Sequence, residues 1–161
     1  MKKKVFILLT FLFVCFLANA ENYIEISGNK ISLDDSVEEI QKRFGKEKEF
    51  SIIPFEYNSN WDTFCFKYES FIVYSARVTK MPFKIEVFDK NFEIHVDGFI
   101  VKSGSSKQVV ESKLENIKYL GTDDESNEYY LYYLPDFMES GFVFDITHKL
   151  KSAYISYVPM D

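Results

Sequence analysis

Hydrophobic and polar positions alternate with a period of two along most of this chain, and twice the alternation gives way to a period near 3.6. Residues 23–33 alternate and carry β-branched side chains, which predicts one or two short strands around a turn at Gly28-Asn29. The first break follows at Asp34-Asp35-Ser36-Val37-Glu38-Glu39. Asp35 or Ser36 serves there as N-cap, and Glu38 or Glu39, three residues on, closes a capping box. Val37, Ile40 and Phe44 fall at i, i+3 and i+7 on one helical face, and Gly45 supplies the left-handed residue that ends the helix.

Residues 50–55 predict a strand that Pro54 confines to an edge or an end, because proline has no N–H to give a ladder. A turn over 57–60 leads to an alternating stretch over 61–68, with Phe64, Phe66 and Tyr68 on one face and Cys65 and Lys67 on the other. Residues 71–79 form a further strand closed by Lys80-Met81-Pro82. Residues 83–88 and 92–96 flank Asp89-Lys90-Asn91 as an expected hairpin.

The order then restarts. A strand over 99–102 precedes Ser103-Gly104-Ser105-Ser106 and a helix over 107–115. Val110 and Leu114 stand 70 positions after Ile40 and Phe44, and Ser105-Ser106 stands 70 after Asp35-Ser36. An aromatic strand follows each helix, over 64–68 and again over 129–133. The second half closes with strands over 142–146 and 150–158 around Thr147-His148-Lys149. The spacing predicts an α+β protein of two tandem units, each a short helix followed by an antiparallel β-meander, with the helices on one sheet face. The expected units, 21–97 and 98–161, share one sheet.

The first twenty residues follow another rule. Lys2-Lys3-Lys4, the apolar run 5–17 and Ala18-Asn19-Ala20 are the charged region, apolar region and cleavage site of a secretory signal peptide. The run is shorter than the roughly 20 residues that span a bilayer. Cys15 follows Val14, where lipoprotein processing needs a small residue. Cleavage after Ala20 is expected, and the mature chain would be exported to the periplasm or beyond, with no insertion in the membrane.

Charge narrows the partners. The chain carries a net −6, and losing Lys2, Lys3 and Lys4 takes it to −9. Such a surface gains nothing from phosphate backbones or anionic headgroups, so nucleic acid is not an expected partner. Cys15 leaves with the leader, so Cys65 has no partner within the mature chain. An intermolecular disulfide is one reading, and a buried strand thiol is the favoured one.

The layout resembles the tandem α+β repeats of the β-lactamase inhibitor protein fold, shared by small outer-membrane assembly lipoproteins. Asp35-Ser36-Val37-Glu38-Glu39-Ile40 with Phe44-Gly45 matches the helical segment of its first unit. The second unit runs from Ser105-Ser106 through Leu114 and has Glu115-Asn116 where the closing glycine would stand. Residues 31–36, with Trp61-Asp62 downstream, also look like exported bacterial domains of unknown function. The resemblance implies a protein partner, either an enzyme to be inhibited or a component of envelope assembly.

Catalytic patterns are sparse. The chain has no Gly-rich phosphate loop and no Gly-x-Ser-x-Gly elbow, and neither a cofactor nor a metal is expected. Glu93, His95 and Asp97 share a face by the period of two, as a metal-binding or pH-sensing stripe or simply as the polar side of a strand. His148 belongs to a turn. Asp123-Asp124-Glu125 with Glu128 reads as a solvated acidic loop. The run Tyr129-Tyr130-Leu131-Tyr132-Tyr133 leaves neither strand face polar, so one face is either core or an exposed tyrosine patch. The reading taken is an exported protein that binds a protein partner, with Tyr130, Tyr132 and Tyr154 as candidate anchors and Trp61 beside them. A hydrolase or metal-dependent enzyme near His95, and a small-ligand carrier, are the alternatives.

Overall fold

The computed structural model describes residues 21–56, 58–88 and 90–158. The expected leader lies outside the described residues. Strands β1 (Tyr23–Ile26) and β2 (Asn29–Ile31) turn through Ser27-Gly28, both at positive φ, and lead into helix α1 (Val37–Phe44). A meander of β3 (Glu49–Ile53), β4 (Thr63–Lys67), β5 (Phe71–Ala76) and β6 (Pro82–Val87) follows, with a 3-10 turn at Ser59–Trp61. The plan repeats: hairpin β7 (Phe92–Val96) and β8 (Phe99–Lys102), helix α2 (Lys107–Lys113), then β9 (Lys118–Thr122), β10 (Glu128–Leu134), β11 (Met138–Phe144) and β12 (Leu150–Tyr157). The protein is α+β, and each helix precedes a run of antiparallel strands.

The strands form two sheets. Four run in the order β2-β1-β7-β8 and eight in the order β3-β4-β5-β6-β12-β11-β10-β9. Like strands of the two copies meet at each seam: β1 pairs with β7, and β6 with β12. Strands of both halves thus share two sheets rather than the one expected.

The hairpin expected over 83–96 is also corrected. Strand β6 lies between β5 and β12, while β7 lies between β1 and β8. A turn signal marks a change of direction, and which strands then pair depends on where their apolar faces find cover. Strand β9, not anticipated, reads Lys-Tyr-Leu-Gly-Thr, too short and too interrupted to show alternation.

Helix α1 forms for the local reasons its sequence states. The Ser36 hydroxyl accepts from the Glu39 N–H at 3.3 Å, and the Ser36 N–H donates to the Glu39 carboxylate at 2.8 Å. That bond, above all, holds the Glu39 carboxyl below its usual range. Ser106 begins α2 without a side-chain cap, and Lys107 anchors that end to Glu128 at 2.7 Å instead.

One core fills the space between the sheets and under both helices. Ile24, Ile31, Phe92 and Ile94 enter from the smaller sheet, and Phe71, Ile85, Phe142 and Ile155 from the larger. Ile40, Val110 and Leu114 close it from the helices. Tyr68 is the imperfect member: its ring stacks on Phe71 at 4.3 Å, but its buried hydroxyl finds no hydrogen-bond partner among the described residues. Burial first, and then the charge of Glu47, push its phenol up to about 12.

A raised folded-state pKa means that this contribution is intact below pH 10 and disappears as pH climbs toward 12. Tyr68→Phe removes the unsatisfied hydroxyl and the titration together. It is expected to raise stability at pH 7 by about 1 kcal/mol, and to lose less than the wild type between pH 10 and 12. Urea titrations at both ends of that range give the comparison.

Candidate functional site

Cross-strand register decides which side chains of the larger sheet meet the core and which are left over. Phe71, Val73 and Ser75 of β5 face inward with Ile85 and Val87 of β6, Ala153 and Ile155 of β12, and Phe142 and Phe144 of β11. The opposite face carries two rows. One runs Tyr74, Lys84, Ser156, Glu139, Tyr133, and its neighbour runs Ile72, Glu86, Tyr154, Gly141, Leu131, Lys118.

Tyr154 is the centre of this face. Its ring lies flat across Gly141, where a Cβ would stand only 1.9 Å from the ring. Glycine in a strand interior marks such a close approach. The Tyr154 hydroxyl donates to Glu139 at 3.2 Å, and Ser156 donates to the same carboxylate oxygen at 3.1 Å. The Lys84 ammonium sits 4.3 Å from the ring centroid and 3.3 Å from Glu86.

Rings and charges alternate outward from there. Lys84 also approaches the Tyr74 ring at 5.4 Å, and Lys118 covers Tyr133 at 4.8 Å. At the margin the Tyr129 hydroxyl donates to Asp123 at 2.8 Å. Burial first, and then the Glu139 charge, drive the Tyr154 phenol far above the usual tyrosine range. Burial with Glu86 nearby pushes Tyr74 up to about 12. Both are therefore neutral hydroxyls at physiological pH, held in place by carboxylates. The arrangement offers aromatic area whose rotamers are already fixed, which lowers the entropy cost of docking.

Of the four anticipated anchors, the structure leaves one on this face. Tyr154 is there. Tyr130 has the opposite parity and is 8% exposed, with its ring edge-on to Phe144 at 5.4 Å. Tyr132 shares that inward parity, packs partly buried against the core, and donates its hydroxyl to Asp97 at 2.9 Å. Trp61 is exposed but belongs to the 3-10 turn between β3 and β4, outside the strands that carry the two rows. Tyr74, Tyr129, Leu131 and Tyr133 were missed as members. Gly141 in the interior of a strand was the available signal.

The other candidates resolve into local structure. His95 stacks on Tyr23 at 4.1 Å and has Glu93 at 3.7 Å, whereas Asp97 leaves the strand in a turn at φ 49°. Among the described residues no group of three or more His, Cys, Asp or Glu is placed to hold a metal ion. Asp123 organises the acidic loop, accepting from the side chain and N–H of Asn127 and from the Glu125 N–H. The Asn127 side-chain bond is the largest of the effects that hold its carboxyl at about 2. Cys65 is buried in β4 as a free thiol. A half-open cleft of about 330 Å³ lies between α1, strands β4 and β5 and the β5–β6 connection, lined by Val37, Gln41, Phe64, Phe66, Ser75 and Met81 among others.

No family model matches the chain, and no curated protein or solved structure matches it either. Among the described residues no helix is long and apolar enough to cross a membrane.

Proposed function

We propose that the mature chain is an exported, non-catalytic binding protein that holds a protein partner against the outward face of its eight-stranded sheet. The observation that carries this reading is the Tyr154 ring seated on Gly141, flanked by Tyr74 and Tyr133 and tied by Lys84, Glu86 and Glu139. Tyrosine buries a large apolar area while keeping a hydroxyl for specificity, and interface cores are enriched in it. Lysines held over rings supply neighbouring charge without long free side chains. The sequence resemblance to the β-lactamase inhibitor protein fold makes an enzyme or an envelope assembly component the class of partner to seek. The leader-like N-terminus and the acidic mature chain support export and argue against nucleic acid.

Capture on the tagged mature chain from an envelope extract, with chemical cross-linking and mass spectrometry, tests the proposal. One stoichiometric partner cross-linked around Lys84 or Lys118 is the expected result. Tyr133→Ser combined with Tyr154→Ala is expected to weaken capture at least a hundredfold, since central aromatic anchors each carry about 2 kcal/mol or more. A captured partner that ignores both substitutions sinks the assignment of this face. The cleft beside α1 supports a second reading as a carrier of a small apolar ligand. Native mass spectrometry of the purified chain detects such a ligand directly.

A further inference from the structure

A sheet edge exposes unpaired N–H and C=O groups, and natural sheets cover or distort their edges to prevent pairing. Three of the four edges here are managed. The Arg43 guanidinium of α1 caps the Lys30 carbonyl on β2, and Lys113 of α2 donates to the Ile100 carbonyl on β8 at 2.6 Å. Strand β9 is broken from regular pairing by a bulge opposite Tyr129/Tyr130 and by Gly121 at φ 153°. The fourth edge, β3, carries none of these devices over its five residues, and Pro54 limits it only just past its C-terminal end. It pairs with β4 over five consecutive residues without a shift, and all five are exposed.

Its composition sharpens the contrast. Phe50 is 45% and Ile52 50% exposed, and both point to the inner side, where Phe50 meets Phe64 at 5.4 Å and Phe66 at 5.2 Å. The terminal charges are already occupied, Glu49 by Lys67 at 3.1 Å and Lys48 by Glu69 at 3.2 Å. No charge stands within residues 50–53 to discourage another strand.

We propose that β3 pairs antiparallel with β3 of a second copy of this chain, forming a two-fold dimer with one continuous sheet. Centring the two-fold on Ser51 sets Phe50 opposite Ile52 of the other copy, twice, which extends the apolar cluster across the seam. The same register sets Ser51 opposite Ser51. It also brings Lys46 toward the end of the seam where the other copy has Glu56, and both residues are exposed. Apolar side chains thus meet at the centre and opposite charges at both ends. A two-fold axis normal to the sheet keeps both outward faces on the same side, so the dimer displays the Tyr154 surface twice. Strand-edge pairing supplies the main-chain hydrogen bonds, and the alternate side chains set the register.

Sedimentation and light scattering on the mature chain test this, and a concentration-dependent dimer is expected. Ile52→Lys changes a half-exposed side chain, so a folded monomer by circular dichroism is the expected outcome. Lys46→Glu is expected to weaken the dimer about tenfold through its two symmetric end pairs, and Lys46→Glu with Glu56→Lys to restore it. In a Cys65→Ser background, which removes the thiol opposite Ser51 within the chain, Ser51→Cys is expected to oxidise to a covalent dimer. A wild-type chain that stays monomeric at millimolar concentration overturns the proposal. So does a dimer untouched by Ile52→Lys, and so do open-ended oligomers, which would mean β3 pairing with β9 of the next copy.

Discussion

Tyr130→Ser is expected to lower the free energy of unfolding by about 3 kcal/mol or more, while Tyr133→Ser, three residues on in the same strand, changes it by less than about 1 kcal/mol. Chemically the two replacements are identical. They differ in strand parity alone: Tyr130 pairs with Phe142 and stands edge-on to Phe144 in the core, whereas Tyr133 pairs with Glu139 on the outward face and is 54% exposed. Removing the Tyr130 ring leaves a cavity against Phe144 and Tyr119, and it removes the ring that Lys107 approaches at 5.8 Å. Urea denaturation of each single variant gives both numbers. Equal losses at the two positions would mean that the outward face is covered, and the proposed interface with it.

That pair of positions also shows where the sequence is informative. Helix α1 could be placed to within a residue because its causes are local: a serine cap, a glutamate three positions on, an apolar stripe and a terminal glycine. The doubled plan was legible too, since the spacing of caps and helices survives even where residue identities do not. The parity of β10 was not. With Tyr129, Leu131 and Tyr133 on one side and Tyr130, Tyr132 and Leu134 on the other, both sides are equally apolar, and a period-two pattern carries no direction. Direction comes from β11, where Ser140, Phe142 and Phe144 are buried on one face and Gly141 opens the other to the Tyr154 ring.

The expected hairpin over 83–96 failed for a related reason. Asp89-Lys90-Asn91 reads as a turn in the sequence, but β6 finds its second partner 66 or more residues later, in β12. Long-range pairing of this kind rewards the burial of whole faces, which no local turn signal reports. The candidate site inherits the difficulty, because its rows are assembled across β5, β6, β12, β11 and β10, strands far apart in the chain.

Gly141 makes the strongest test of that assembly. A Cβ there would stand 1.9 Å from Cε1 and 2.4 Å from Cζ of Tyr154, and these belong to a ring rather than to the far end of a flexible chain. Gly141→Ala is therefore expected to force the ring off the sheet, breaking its bond to Glu139 and its contact with Lys84, at a cost of about 1–3 kcal/mol. The backbone is not at fault, because Gly141 does not hold a positive φ. With Tyr154→Ala already in place, Gly141→Ala is expected to cost nothing and even to stabilise the strand slightly, since alanine loses less entropy than glycine on folding. The double-mutant cycle should thus give a coupling of about 1 kcal/mol or more, with the double variant more stable than the sum of the singles predicts. Capture of the protein partner adds a second readout: Gly141→Ala should weaken it as much as Tyr154→Ala does. Additive stabilities would show that the ring does not rest on Gly141. A full cycle with unimpaired capture would show that the ring is structural and that the partner docks elsewhere.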